Sequence, residues 1–156
     1  MIDVVLTAED LMLAALAGAR QQAENVGAGR RDNHGFEGDG WAAQIEGLAS
    51  EIAVARAVDR FHNPIRPFAL RARADVGRLH VRSTAWPDGR LVLHDTDAPG
   101  TYVLVIRTHL PRCRIVGTFE KRGELDRRWW REDVRNPAYF VPQRDLTPAR
   151  ELWLVA

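Results

Sequence analysis

Residues 75–84 read Asp-Val-Gly-Arg-Leu-His-Val-Arg-Ser-Thr, and this run decides the fold. From Leu79 the side chains alternate apolar and polar, the period of an extended strand with one face on a core. His80 and Arg82 therefore project from one face, and Leu79, Val81 and Ser83 from the other. Val76-Gly77 is turn material, so Asp75 stands where the strand begins.

Downstream the period of two persists. The stretches 68–73, 78–84, 90–95, 101–107 and 113–119 read as strands. Pro87-Asp88-Gly89 and Ala98-Pro99-Gly100 separate them as turns, and Leu110-Pro111 breaks the run before the fifth. Upstream the period is helical. Thr7-Ala8-Glu9-Asp10 offers a hydroxyl cap with acids in the first turn and predicts a helix over about 8–26, with Leu11, Met12, Leu16 and Ala19 as its apolar positions. Asp39 or Gly40 opens a second helix over about 41–59, whose stripe is Ile45, Leu48, Ile52 and Ala55. A short helix near 124–131 and a strand-like 138–141 complete the chain, with Pro142 and Pro148 marking an irregular tail. The order implies one domain over residues 1–156, an α/β or α+β sandwich in which helices flank a central mixed sheet of four or five strands.

Composition bounds the class. The chain is 46% hydrophobic and 28% charged, ordinary for a globular domain, and no apolar run suits a membrane span. The acids Glu9 and Asp10 stand where a secretory signal would carry positive charge, and the single cysteine, Cys113, supports neither a disulfide framework nor a multi-cysteine zinc site. These features fit a reducing cytoplasm. Charge is uneven: residues 1–59 carry ten acidic and four basic side chains, residues 60–90 seven basic and two acidic, and 105–135 nine basic and five acidic. Of the 22 cationic residues only Lys121 is a lysine. Guanidinium groups suit bidentate contact with phosphate.

Glu51 lies on the flank of the second helix's stripe, and its helical neighbours Gly47, Leu48, Val54 and Ala55 offer no countercharge. Glu46 points away from the stripe and reads as a solvated surface residue.

Gly47-x-x-x-Glu51-x-Ala53-Val54-Ala55, then Asp75-Val76-Gly77, then His80-Val81-Arg82-Ser83-Thr84 resembles the PD-(D/E)XK nuclease superfamily, most of all its small phage and prophage members. The similarity continues through Leu91 to Asp97, the strand near Tyr102 to Val105, Gly117, Trp130 and Ala138 to Pro142. That resemblance implies a restriction-endonuclease-like fold and metal-dependent hydrolysis of DNA in a phage- or prophage-carrying bacterial cell. It implies Mg2+ or Mn2+ held chiefly by Asp75, with Glu51 as accessory acid. Hard oxygen ligands suit ions that activate water and stabilise charge on phosphate. Two positions depart from the superfamily pattern. His80 replaces an acid or amide, as a modified ligand or proton carrier better matched to manganese. Arg82 replaces lysine, able to steady a phosphate but not to act as a base. The alternative keeps the fold without the chemistry: a module binding DNA or a protein partner, with Arg66, Arg71, Arg73, Arg78 and Arg82 on the backbone. Resolvase-like members are dimers, which leaves a homodimer open.

Further candidates flank this motif. Arg30, Arg31 and His34 in the glycine-rich 30–40 loop are placed to contact substrate phosphate, as are Arg73 and Arg78. Trp129, beside Arg127, Arg128 and Arg131, offers an indole for base stacking, while Trp130 is read as core. A hairpin at Pro87-Asp88-Gly89 would bring His80 near His94, Asp95 and Asp97 as a second metal set. Phosphate-binding glycine loops, dinucleotide fingerprints and serine-hydrolase elbows are absent.

Overall fold

The computed structural model describes residues 1–30, 39–66 and 74–154, with side chains through Leu152. Arg31, His34, Arg71, Arg73 and the strand expected over 68–73 lie outside the described residues.

The first helix, α1 (Ala8–Gly27), starts as its sequence dictates. Thr7 Oγ1 accepts from the Asp10 amide at 3.2 Å while Asp10 Oδ2 accepts from the Thr7 amide at 3.0 Å, a reciprocal capping box. The other oxygen of Asp10 accepts from Arg56 Nη2 at 2.7 Å, tying the start of α1 to the end of α2 (Gly40–Ala57). Asp39 caps α2 through the Trp41 and Ala42 amides, at 2.9 and 3.3 Å.

The face that α1 buries differs in part from the one expected: Leu11 packs against the core. Met12 and Leu16 are exposed, and Ala14, Ala17 and Gly18 face the core instead. Small residues let the two helix backbones approach closely. A Cβ on Gly18 would stand 2.7 Å from Ile45 Cα, closer than any larger side chain tolerates.

The main sheet runs in the order β1-β5-β4-β2, from Ile2–Val5 (β1), Leu79–Thr84 (β2), Gly100–His109 (β4) and Arg112–Lys121 (β5), with Thr147–Pro148 (β8) also pairing β5. The β4–β5 hairpin turns at Leu110-Pro111, as the sequence indicates. Strand β1 is not marked by any turn or alternation signal. Leu91–Leu93 (β3) pairs not with β2 but with Ala138–Val141 (β7) in a second sheet, β3-β7-β6, completed by Trp130–Arg131 (β6). The expected helix near 124–131 is a 3-10 turn at Arg127–Trp129 leading into β6. β2 instead pairs in parallel with β4, His80 opposite Tyr102 and Arg82 opposite Leu104. The hairpin that would have carried His80 to His94 is therefore not formed.

The result is an α+β sandwich with three layers. Leu79, Val103, Val105, Cys113 and Ile115 face the helices, packing on Leu48, Ile52 and Ala53. Tyr102, Leu104, Ile106 and Val116 face the second sheet, packing on Leu91, Leu93, Tyr139 and Val141. Strand β4 thus has no wet face, which explains its unbroken Val103-Leu104-Val105-Ile106 run. Among the described residues no helix is long and apolar enough to cross a membrane.

Gly18→Ala is expected to destabilise the protein by about 1–3 kcal/mol through overpacking, despite a gain of up to about 1 kcal/mol in helix propensity. Urea denaturation checks this; a more stable variant would show that the helices can separate at no cost.

Candidate functional site

A charged cluster lies beside β2, the last strand of the main sheet among the described residues. A tight turn links Asp75 to the strand: the Asp75 and Val76 amides donate to Leu79 O at 2.8 and 3.0 Å, and the Leu79 amide returns to Val76 O at 2.8 Å. Gly77 sits in this turn at φ +60, a left-handed conformation that favours glycine. The turn folds Asp75 back along β2, where Oδ2 accepts from the Val81 amide at 2.7 Å. Among the described residues β2 is the last strand of its sheet, and this amide has no ladder partner there. Asp75 is therefore oriented by the strand it precedes.

Glu51 approaches from α2. Its Oε2 lies 3.2 Å from Arg66 Nη2 and 3.1 Å from His62 Nε2, the latter a close contact without hydrogen-bond alignment. The same Arg66 Nη2 stands 3.4 Å from Asp75 Oδ1, while Nη1 donates to Ala74 O at 3.0 Å. Two carboxylates and a carbonyl from separate stretches of chain thus meet on one guanidinium. All three ionic side chains are largely buried, 15–17% exposed, with His62 at 6%. Burial holds the Glu51 carboxyl above its ordinary value; the His62 contact draws it back down, and the Asp75 charge raises it.

His62 and Arg66 reach the cluster because the chain turns back after α2. Asp59 takes a positive φ of 50, the Arg60 amide closes on Ala55 O at 2.9 Å, and buried Gln21 donates from α1 to Pro64 O at 3.3 Å. The sequence marks only a helix stop at Asn63-Pro64; nothing in its periodicity shows the return. Arg66 was legible as one of several cations, His62 not at all.

His80 and Arg82 form a different group. Leu79 and Val81 fill the helix-side core, so alternation sends 80 and 82 to the opposite face. There the His80 ring stacks on Tyr102, centroids 4.6 Å apart at 16°, and the Arg82 guanidinium lies 5.3 Å from the same ring. Burial depresses the His80 imidazole's proton affinity, opposed by the Asp75 charge. Burial likewise pushes the Tyr102 phenol up to about 12, and its hydroxyl donates to Ala98 O at 2.7 Å. The site expected on one face is divided by the sheet edge, with Asp75 at the boundary.

Arg82 does not project freely. Its Nη2 donates to Asp97 Oδ1 at 3.0 Å, and Asp97 Oδ2 accepts from the His94 amide at 2.9 Å. Buried Lys121 holds this turn from below, its ammonium donating to His94 O at 2.9 Å, Asp95 O at 3.0 Å and Asp97 O. Three carbonyls converging on one point suit a compact ammonium with three donors, not a planar guanidinium. That geometry accounts for the one lysine in an otherwise arginine-only chain, a signal visible in the composition but without a location until the turn is seen.

Of the outlying candidates, Arg30 and Arg78 are exposed. Trp129 is half-buried, edge-on to Phe119 at 5.3 Å, with its indole N–H donating to Asp145 at 3.0 Å and Arg128 over its ring at 4.8 Å. Trp130 packs on Tyr139 at 4.8 Å. Glu46, read as solvated, pairs with Arg107 across the α2–sheet boundary.

Among the described residues no group of three or more His, Cys, Asp or Glu side chains is close enough to hold a metal ion. The available donor set is smaller and all oxygen: Glu51, Asp75 and the Ala74 carbonyl, already gathered around a cation. Hard oxygens with positions left for water fit Mg2+ or Mn2+; His80, stacked across the edge, is not part of that set. No family model, no curated protein and no solved structure matches the chain.

Two predictions follow from this geometry. Because folded Glu51 keeps its proton at pH values where the unfolded chain has lost it, ionisation costs the native state, and stability falls as pH rises from near 4.5 through the higher folded value. Urea denaturation from about pH 4.5 to about pH 7 should show a steeper decline in the wild type than in Glu51→Gln; equal slopes would remove the perturbed carboxyl. Lys121→Met strands three carbonyls and is expected to cost about 3 kcal/mol, read in the same assay.

Proposed function

We propose that the protein is a metal-dependent DNA phosphodiesterase, an endonuclease or junction-resolvase-like enzyme, working at the Glu51–Asp75 pair. One observation carries this reading: two largely buried carboxylates, from a helix and from the turn before an edge strand, converge with a backbone carbonyl on a single cationic centre. Burying two like charges together is costly unless cations answer them, and such pairs cluster at working sites.

In this reading Asp75 and Glu51 hold Mg2+ or Mn2+, with the Ala74 carbonyl as a further donor. A divalent ion at that position supplies activation of water and stabilisation of charge on the scissile phosphate. The Val81 amide keeps Asp75 turned toward the site. Arg82, always charged, oriented by Asp97 and 38% exposed, presents a donor to phosphate on the far side of the edge. His80, on the face of β2 that carries Arg82, is a proton carrier rather than a ligand in this reading.

A second reading has its own support. Arg66 and His62 already answer the two carboxylates, as expected of a nuclease fold that binds DNA or a partner without cutting.

Cleavage of labelled duplex, single-stranded and four-way-junction DNA, with Mg2+, Mn2+ or EDTA, separates the two. The enzyme reading expects metal-dependent cutting that Asp75→Ala reduces at least about a hundredfold, with DNA affinity intact or raised. Binding without cutting in every lane, unchanged by Asp75→Ala and with a salt slope flattened by Arg82→Gln, would establish the binding module instead.

A further inference from the structure

Arg66 stands where the metal of the proposed site would stand. Its Nη2 contacts Glu51 Oε2 at 3.2 Å and Asp75 Oδ1 at 3.4 Å, and its Nη1 takes Ala74 O at 3.0 Å. A divalent ion drawing on the same oxygens at about 2.0–2.1 Å would leave no room for the guanidinium and would repel it. One site, two cations: they are alternatives.

In the segment carrying Arg66, Phe61 is 94% and Ile65 40% exposed, while the His62 side chain and Pro64 are buried, and its hydrogen bonds to the rest of the fold include one from Gln21 to Pro64. The Ile65 and Arg66 amides are satisfied locally, by Asn63 Oδ1 at 3.0 Å and Pro64 O at 3.1 Å. None of these bonds belongs to the strand ladders, so withdrawal of the segment breaks the side-chain contacts of His62 and Arg66 and leaves the β2–β4 pairing intact. The guanidinium is meanwhile the cation common to Glu51 and Asp75, and withdrawal is unfavourable until another cation replaces it.

We propose that Arg66 is a built-in substitute cation that holds the carboxylate pair closed, and that divalent metal binding expels it, releasing residues 61–66. This rests on the metal-site reading above and adds its regulation: the metal-free protein is autoinhibited, and metal occupancy is coupled to the position of one loop.

The probe is Mn2+ alone. Free-ion electron paramagnetic resonance measures its affinity for wild type and Arg66→Gln, and amide hydrogen exchange follows residues 62–66 in wild type and Asp75→Asn with and without saturating Mn2+. The expected results are affinity at least about tenfold tighter in Arg66→Gln and faster exchange of the 62–66 amides on Mn2+ addition to wild type, absent in Asp75→Asn. Affinity within about threefold of wild type, too small a change for a cation competing for the same oxygens, overturns the proposal. So does unaltered exchange in wild type, or no Mn2+ binding by either protein. The wild-type exchange arm decides the matter if Arg66→Gln does not fold. Cleavage on the same samples keeps the two readings apart: the Mn2+ signature without cutting leaves the clasp and removes the enzyme, and cutting without the signature does the reverse.

Discussion

Strand β4 is buried on both faces, and the rest of the molecule is arranged around that requirement. A strand with no wet side must be covered twice, by the α1–α2 pair on one face and by the small β3-β7-β6 sheet on the other. Its neighbour β2, paired in parallel at the sheet edge, inherits the division. Leu79 and Val81 complete the helix-side core, and His80 and Arg82 are sent to the second-sheet side. Chemistry that depends on both sets of residues can meet only at the edge. Asp75 sits there, and the Val81 amide, which donates to its carboxylate, is what orients it.

Two groups of ionic residues result, each solving a different burial problem. On the helix side, Glu51 and Asp75 share Arg66 and Glu51 also meets His62, a compact cluster in which two negative charges are brought together and then answered. On the other side, Arg82 is fixed by Asp97, Asp97 by the His94 amide, and the whole turn by Lys121. In the first arrangement two carboxylates share one guanidinium. In the second each group has its own partner.

Much of the local structure was legible from residues 1–57 and 79–121. Thr7 and Asp39 announce their helices because side-chain capping is a local interaction, and the turn residues that bound β2, β4 and β5 mark these strands locally too, β4 by an unbroken apolar run rather than by alternation. The stripe on α2 was read in part: Leu48, Ile52 and Ala55 are buried, but so are Ala49, Ser50, Ala53 and Val54, because that helix lies between α1 and the sheet. The face of α1 was partly misjudged because apolar character is a weaker guide than size where two helices touch: Ala14, Ala17 and Gly18 win the interface over Met12 and Leu16 by fitting it.

The choice of Glu51 and Asp75 as a pair came from their order in the chain, and the fold places both on one guanidinium. Which strands pair, and therefore that β3 leaves β2 for a second sheet, depends on contacts distant in sequence that no period encodes. His62 and Arg66 belong to the site only because the chain doubles back past α2, and Lys121 matters only because three carbonyls converge above it. By itself, then, the sequence determined the two long helices, strands β2 to β5 and the charged residues available, since these follow from neighbours along the chain. Tertiary structure alone decided which charges share a cation and which face of β2 each meets, because electrostatic partnership depends on distance in space and burial.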